Sequence, residues 1–115
     1  MNILKSIFGG GDSSSLTVDE VHDKMSNNPA LFLLDVRQSN EFKSGHIKGA
    51  KLIPLDKLQE KMNKLPRDKQ IICVCRSGAR SGMARRQLKA AGFDVVNMKG
   101  GMMAWQHAGH PVKKG

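Results

Sequence analysis

The chain has no tyrosine, a single tryptophan and four phenylalanines, so aromatic residues make up only 4% of its 115 residues. That leaves too few flat rings for the stacking platforms on which single-stranded nucleic acid is bound. Two cysteines, Cys73 and Cys75, cannot build a disulfide scaffold, and their Cys-x-Cys spacing would bridge only with strain. They also fall short of a structural zinc site, because His22, His46, His107 and His110 are scattered without paired ligand spacing, and no metal is expected. No apolar run approaches the roughly 18 residues that cross a bilayer, so no transmembrane segment is expected. Acidic residues are scarce as well, 10 against 19 basic ones, for a net charge of +9. Such a field admits nucleic acid, an anionic membrane or a small anion as partner. The basic residues are spread along the chain and form no recognition motif, so nucleic acid is not expected as a partner and a small anion fits.

What is present is ordinary for one globular domain. Hydrophobic residues at 39% and charged residues at 25% argue against disorder, and 115 residues allow one core. The N-terminal stretch from Met1 to Phe8 is interrupted at Lys5-Ser6 and runs into Gly9-Gly10-Gly11 without a small-residue cleavage site, so a cytoplasmic location is expected. Asn2 excludes the N-myristoylation pattern. Residues 1–15 are expected to be a flexible tip and Gly/Ser linker, with Ile3, Leu4, Ile7 and Phe8 on one face of any short helix there. Residues 16–112 are expected to form the domain and residues 113–115 a basic C-terminal tail.

The body alternates helix and strand signals. Thr17-x-x-Glu20 is a capping box, followed by Val18, Val21 and Met25 at helical spacing as far as Asn28-Pro29. Leu31 to Val36 is a short apolar run of the kind buried on both faces of a parallel sheet. A short helix is predicted from Asn40 to Ser44, a strand from Ala50 to Pro54, and a helix carrying Leu55, Leu58, Met62 and Leu65. Strands from Gln70 to Val74 and from Asp94 to Asn97 flank a helix from Ser81 to Ala91, and a terminal helix is predicted over residues 102–108. Repeated strand–helix units imply parallel strands joined by right-handed crossovers, an α/β sandwich with helices on both faces.

Cys75 stands where the strand ending at Val74 gives way to a loop and then a helix, the edge at which open α/β sheets place their sites. The helix N-terminus there offers unpaired N–H groups to an anion. Ser77, Gly78 and Ala79 are small enough for the backbone to curl around the sulfur, and Gly78 can take the positive φ such a curl needs. Arg76 and Arg80 add two cations. Helix end, backbone nest and arginines together should lower the thiol pKa below its free value of about 8.5 and give a nucleophilic thiolate.

The run Cys75-Arg76-Ser77-Gly78-Ala79-Arg80-Ser81 resembles the active-site loop of rhodanese domains. The resemblance extends to Leu34-Asp35-Val36-Arg37, Glu41-Phe42, Gly45-His46-Ile47-x-Gly49-Ala50 and Ile53-Pro54, and on to Gly100-Gly101-x-x-Ala104-Trp105 and Gly109-His110-Pro111-Val112. It implies a central parallel sheet of about five strands flanked by helices. It implies a ping-pong sulfurtransferase without cofactor. A donor such as thiosulfate, a polysulfide or a persulfide loads Cys75, and a thiol or cyanide unloads it. It also implies that Arg37 pairs with Glu41, so that Asp35, Arg37 and Glu41 support the loop rather than react. Protein phosphatases and arsenate reductases with a similar cradle carry one more residue between Cys and Arg. Here four residues separate Cys75 from Arg80, a smaller ring suited to one sulfur atom. Arg76 beside the nucleophile resembles the family members that handle thiosulfate.

His46 is not needed as a base by a thiolate already formed, and in this resemblance it is structural. Cys73 shares a strand face with Cys75 and is expected in the core, with a resolving-thiol role as the alternative. Met98, Met102 and Met103 are read as core filling that borders the pocket, and Trp105 as the anchor of the terminal helix. Two rivals remain: a relay domain that takes sulfur from a dedicated donor protein, and a basic adaptor without catalysis, whose binding would be steeply salt-dependent. The chain is expected to be a monomer.

Overall fold

The computed structural model describes residues 14–28 and 30–115, so residues 1–13 of the tip and linker expected over 1–15 lie outside the described residues. Among the described residues five parallel strands form one sheet in the order β1-β5-β4-β2-β3. They are β1 (Ser15–Leu16), β2 (Phe32–Asp35), β3 (Lys51–Leu52), β4 (Ile71–Val74) and β5 (Val95–Met98). Helices α1 (Val18–Asn27), α2 (Ser39–Ser44), α3 (Leu58–Lys61), α4 (Ala79–Ala90) and α5 (Gly101–His107) connect and cover them. The α/β class and the parallel sheet of about five strands expected from the sequence are both present.

The strand residues alternate between two cores. Leu34, Ile71, Cys73 and Val95 pack with Ala84 and Leu88 of α4 on one face. Leu33, Ile72, Val96 and Met98 pack with Val18 and Val21 of α1 and with Met102 and Trp105 of α5 on the other. A sheet buried on both sides requires strands that are apolar throughout, which is why β2 and β4 read as unbroken apolar runs. The Thr17 capping box forms as predicted: Thr17 Oγ1 accepts from the Glu20 N–H at 3.1 Å and Glu20 Oε1 from the Thr17 N–H at 2.8 Å. Trp105 is fully buried, and its Nε1–H donates to the Pro111 carbonyl at 2.8 Å, pinning the C-terminal segment to α5.

Two local expectations are revised. Ser15, expected at the end of a flexible linker, opens β1 opposite Asn97 at the sheet edge, and Ser14 O accepts from the Asn97 N–H at 2.9 Å. A two-residue edge strand has too little periodicity to register in sequence. The helix expected from Leu55 is α3 bracketed by 3-10 turns at Leu55–Lys57 and Met62–Lys64. Those tighter turns eclipse i and i+3, which brings Leu55 and Leu58, and Met62 and Leu65, to the core together. At the C-terminal end, His46 and Lys113 exchange backbone hydrogen bonds at 2.8 and 2.9 Å.

Candidate active site

Cys75 leaves the C-terminal end of β4, the central strand, and Gly78 turns the chain into α4 with φ +105°. A side chain at Gly78 would be strained by that φ and would press on the Gly100 backbone nitrogen at 3.3 Å. The curl aims the Gly78 N–H at Cys75 Sγ, 3.1 Å away, and the first turn of α4 places Ser81 Oγ 3.2 Å from the same sulfur. Burial by itself would push the Cys75 thiol up. The Ser81 hydroxyl, followed by the backbone N–H groups of Ser81, Gly78 and Ser77, outweighs it and holds the thiol below its ordinary range. These donors favour the thiolate form of the sulfur.

The loop is braced from two sides. From below, Asn97 of β5 donates its Nδ2–H to the Gly78 carbonyl at 3.2 Å. From above, the start of α5 donates the Met102 N–H to Cys75 O at 2.8 Å and the Met103 N–H to Arg76 O at 3.0 Å. This close approach depends on Gly101, whose φ is +61° and where a Cβ would lie 2.5 Å from both carbonyl oxygens. Ser77 and Ala79 are exposed and contribute backbone to the curl rather than side-chain contacts.

The ion pairs differ from the expected ones. Arg37 does not pair with Glu41. It is buried and clamps the equally buried Asp35, Nη2 to Oδ2 at 2.8 Å, while donating to the Gly45 carbonyl at 2.9 Å. Asp35 lies two residues away at the end of β2, and its carboxylate also accepts from the Arg37 backbone N–H at 3.1 Å, so side chain and main chain of Arg37 are held by the same acid. Glu41 binds Arg80 instead, Oε1 to Nη1 and Oε2 to Nη2, both at 2.8 Å. That bidentate contact, ahead of the nearby Arg37 charge, lowers the Glu41 carboxyl to about 2. Asp35, Arg37 and Glu41 thus form two separate braces, one inside the β2–α2 corner and one joining α2 to the Cys75 loop.

Arg76 is exposed and lines a cleft of about 370 Å³ together with Asn40, Glu41, Met103 and Gln106. Met103, 56% exposed, and the buried Met102 both wall the cleft, whereas Met98 is core. Cys73 is buried, and burial pushes its thiol up to about 12, so at neutral pH it is a protonated core residue. His46 is stacked on Phe42, its Nδ1 2.8 Å from the Phe42 carbonyl oxygen, and holds the α2 corner.

Reading the sequence for charge missed Asn97 as part of this site, and placed Ser81 at the end of the loop without its contact to the sulfur. Ser81 had a signal, a small hydroxyl in the first helical turn after the loop. Asn97 had another, a lone amide in the last strand.

Comparison with known proteins agrees with this geometry. Residues 17–108 match the Rhodanese-like domain family. The Bacillus subtilis protein YtwF, whose name marks it as a candidate sulfurtransferase, is 40% identical over 84 residues, 73% of this chain and 82% of that one. A protein of Allochromatium vinosum named sulfurtransferase is 32% identical over 102 residues, 88% of this chain and 91% of that one. The crystal structure of a rhodanese-like domain protein from Staphylococcus aureus superposes with a TM-score of 0.81 at 34% identity, over 89% of this chain and 98% of that one. Of YrkF from Bacillus subtilis, named as a candidate sulfur carrier protein, the chain covers only 57%. With the family matched across most of its length, the chain belongs to the rhodanese-like domains.

Proposed function

We infer that the chain is a sulfurtransferase that carries a sulfane sulfur as a persulfide on Cys75. The observation that carries this reading is the pair of hydrogens aimed at Cys75 Sγ, from Gly78 N at 3.1 Å and Ser81 Oγ at 3.2 Å. They stabilise a thiolate in a ring too short for a tetrahedral oxyanion. In the first half-reaction the thiolate attacks the outer sulfur of thiosulfate. A new S–S bond forms, the old one breaks, and sulfite leaves with the electron pair. In the second, an acceptor thiolate or cyanide attacks the outer sulfur and Cys75 leaves as thiolate. A polysulfide or organic persulfide loads Cys75 in the same way. The nest of N–H groups that holds the thiolate would receive the persulfide charge, with Arg76 and Arg80 at the rim. Asp35, Arg37 and Glu41 act by keeping the loop and Arg80 in place. In this reading the domain works as a cytoplasmic monomer without metal or cofactor.

A relay role, in which a protein rather than a small anion loads or unloads Cys75, is favoured by one feature. The cleft of about 370 Å³ beside the loop is larger than thiosulfate requires and has an exposed apolar wall at Met103.

The test is intact mass after the reduced protein is incubated with thiosulfate, beside Cys75→Ser and Cys73→Ser. A gain of one sulfur (~32 Da) that vanishes only in Cys75→Ser, and that is released to cyanide, is expected. A chain left unmodified by both thiosulfate and polysulfide would overturn the enzymatic reading.

A further inference from the structure

The sulfur loop and helix α4 form one unbroken basic stretch: residues 76–89 carry Arg76, Arg80, Arg85, Arg86 and Lys89 and no acid. Opposite charges three or four residues apart steady a helix, and like charges there repel. A helix dipole also favours acids in the first turn and bases in the last, which is how α1 places Asp19, Glu20 and Lys24. α4 does neither. Arg80 sits at its N-terminal end, where the dipole opposes a cation, and is held there by Glu41 of α2. Lys89 follows Arg85 and Arg86 at spacings of four and three, which sets like charges side by side. Among the described residues no ion pair holds Arg76, Arg86 or Lys89.

The outer side of this helix is not purely polar. Ser81, Ala84 and Leu88 are its buried side. Ala79, Met83, Arg86 and Ala90 are exposed and, at spacings of four, three and four, line the opposite side. Met83 is 51% exposed within that stripe, with a small alanine at either end and Lys89 beside it. The stripe starts next to Gly78, whose N–H faces Cys75 Sγ at 3.1 Å. Arg86 lies seven residues beyond Ala79, about 10 Å along the helix axis. About three residues of extended chain span that distance. A segment seated on this side can therefore bring its own end over the sulfur loop. An apolar anchor ringed by arginine and lysine suits a protein surface, since methionine and arginine are the residues enriched there. Nucleic acid would make no use of Met83, and a small anion would cover only a fraction of the stripe.

We propose that the outer side of α4 is the docking surface for the acidic face of a protein that exchanges sulfur with Cys75. The proposal rests on the sulfur-transfer reading of Cys75 and gives that site its class of partner. Carboxylates of the partner pair with Arg76, Arg86 and Lys89, an apolar side chain covers Met83, and the persulfide-bearing end reaches past Ala79. The Cys75 thiolate attacks the outer sulfur of the partner's persulfide. The bond from Cys75 Sγ to that sulfur forms, the partner's S–S bond breaks, and the partner's thiolate leaves with the electron pair. A proton carried by the persulfide stays on the transferred sulfur.

The probes are synthetic peptides with a cysteine persulfide, a short Gly/Ser spacer and a segment of Glu and Leu. Two further peptides carry Gln or Lys in place of Glu. Loading of Cys75 in the full chain is followed by intact mass against time. The Glu peptide should load Cys75 about tenfold or more faster than the Gln peptide, and the Lys peptide slower than either. Arg86→Glu/Lys89→Glu should erase that preference while the Gln peptide loads as before. Lys24→Glu/Lys48→Glu, an equal change of charge at exposed positions on the far side of the sheet, should preserve it. Met83→Ser should slow the Glu and Gln peptides alike. Equal rates for the Glu and Gln peptides, or equal losses from the two charge reversals, would leave only the general field of the molecule and overturn the docking surface. So would an oligonucleotide of matched charge that competes with the Glu peptide as well as its persulfide-free form does. If peptides, thiosulfate and polysulfide all fail to load Cys75, the sulfur-transfer reading falls and takes the docking surface with it. Loading without preference sinks the docking surface alone.

Discussion

At the scale of single residues, the reactivity of Cys75 depends more on hydrogen bonds than on the arginines that mark the loop in sequence. Ser81 Oγ and the backbone N–H groups outweigh burial at the sulfur. Ser81→Ala should therefore raise the Cys75 thiol and slow its alkylation by iodoacetamide at neutral pH by about tenfold, the worth of one hydrogen bond to a charged group. The rate-against-pH curve should move to higher pH, and Cys73, held at about 12, should stay unreactive in both proteins. Glu41 makes a second pH-dependent contribution. Its carboxyl sits at about 2 against an ordinary 4.5, so its ion pair with Arg80 is fully present above about 4.5 and is lost as the pH falls towards 2. Thermal melts of Glu41→Gln should lose less stability than the wild type across that acid window. Asp35 is different because both partners are buried. Asp35→Asn leaves the Arg37 charge uncompensated and should cost about 3–5 kcal/mol in denaturant unfolding.

At the scale of elements, the sulfur loop is a junction of β4, α4, β5 and α5. The N-terminus of α5 reaches the Cys75 and Arg76 carbonyls only because Gly101 has no side chain and a left-handed φ. Gly101→Ala should cost about 1–3 kcal/mol from the backbone alone. It should also disturb Cys75 persulfide formation, read by mass, more than a general loss of stability would. How each element was legible follows from its surroundings. The buried runs of β2 and β4 and the capping box of α1 declare themselves, since burial on both faces and local capping are written in adjacent residues. The broken helix around α3 and the two-residue β1 do not, because their geometry is set by what they pack against. The Arg37–Glu41 pairing failed for the same reason: which carboxylate an arginine meets depends on how the β2–α2 corner turns.

At the scale of the whole molecule, the net charge of +9 bears on encounter rather than on fold. If a small anionic donor loads Cys75, the loading rate with thiosulfate should fall as ionic strength rises from about 10 mM to about 150 mM, since the field is screened within a Debye length of about 8 Å at the upper value. Stopped-flow loading at several salt concentrations would show it. The sequence by itself determined the class of fold and pointed to Cys75 and the loop that surrounds it, because apolar periodicity and a contiguous Cys-to-Arg run are local properties of the chain. Only the tertiary structure decided which hydroxyl touches the sulfur, which acid each arginine holds, and that Asn97 of β5 braces the loop at Gly78. Those contacts join residues distant in the chain, such as Glu41 with Arg80 and Gly78 with Asn97, and such pairs exist only once the sheet order β1-β5-β4-β2-β3 has brought their strands side by side.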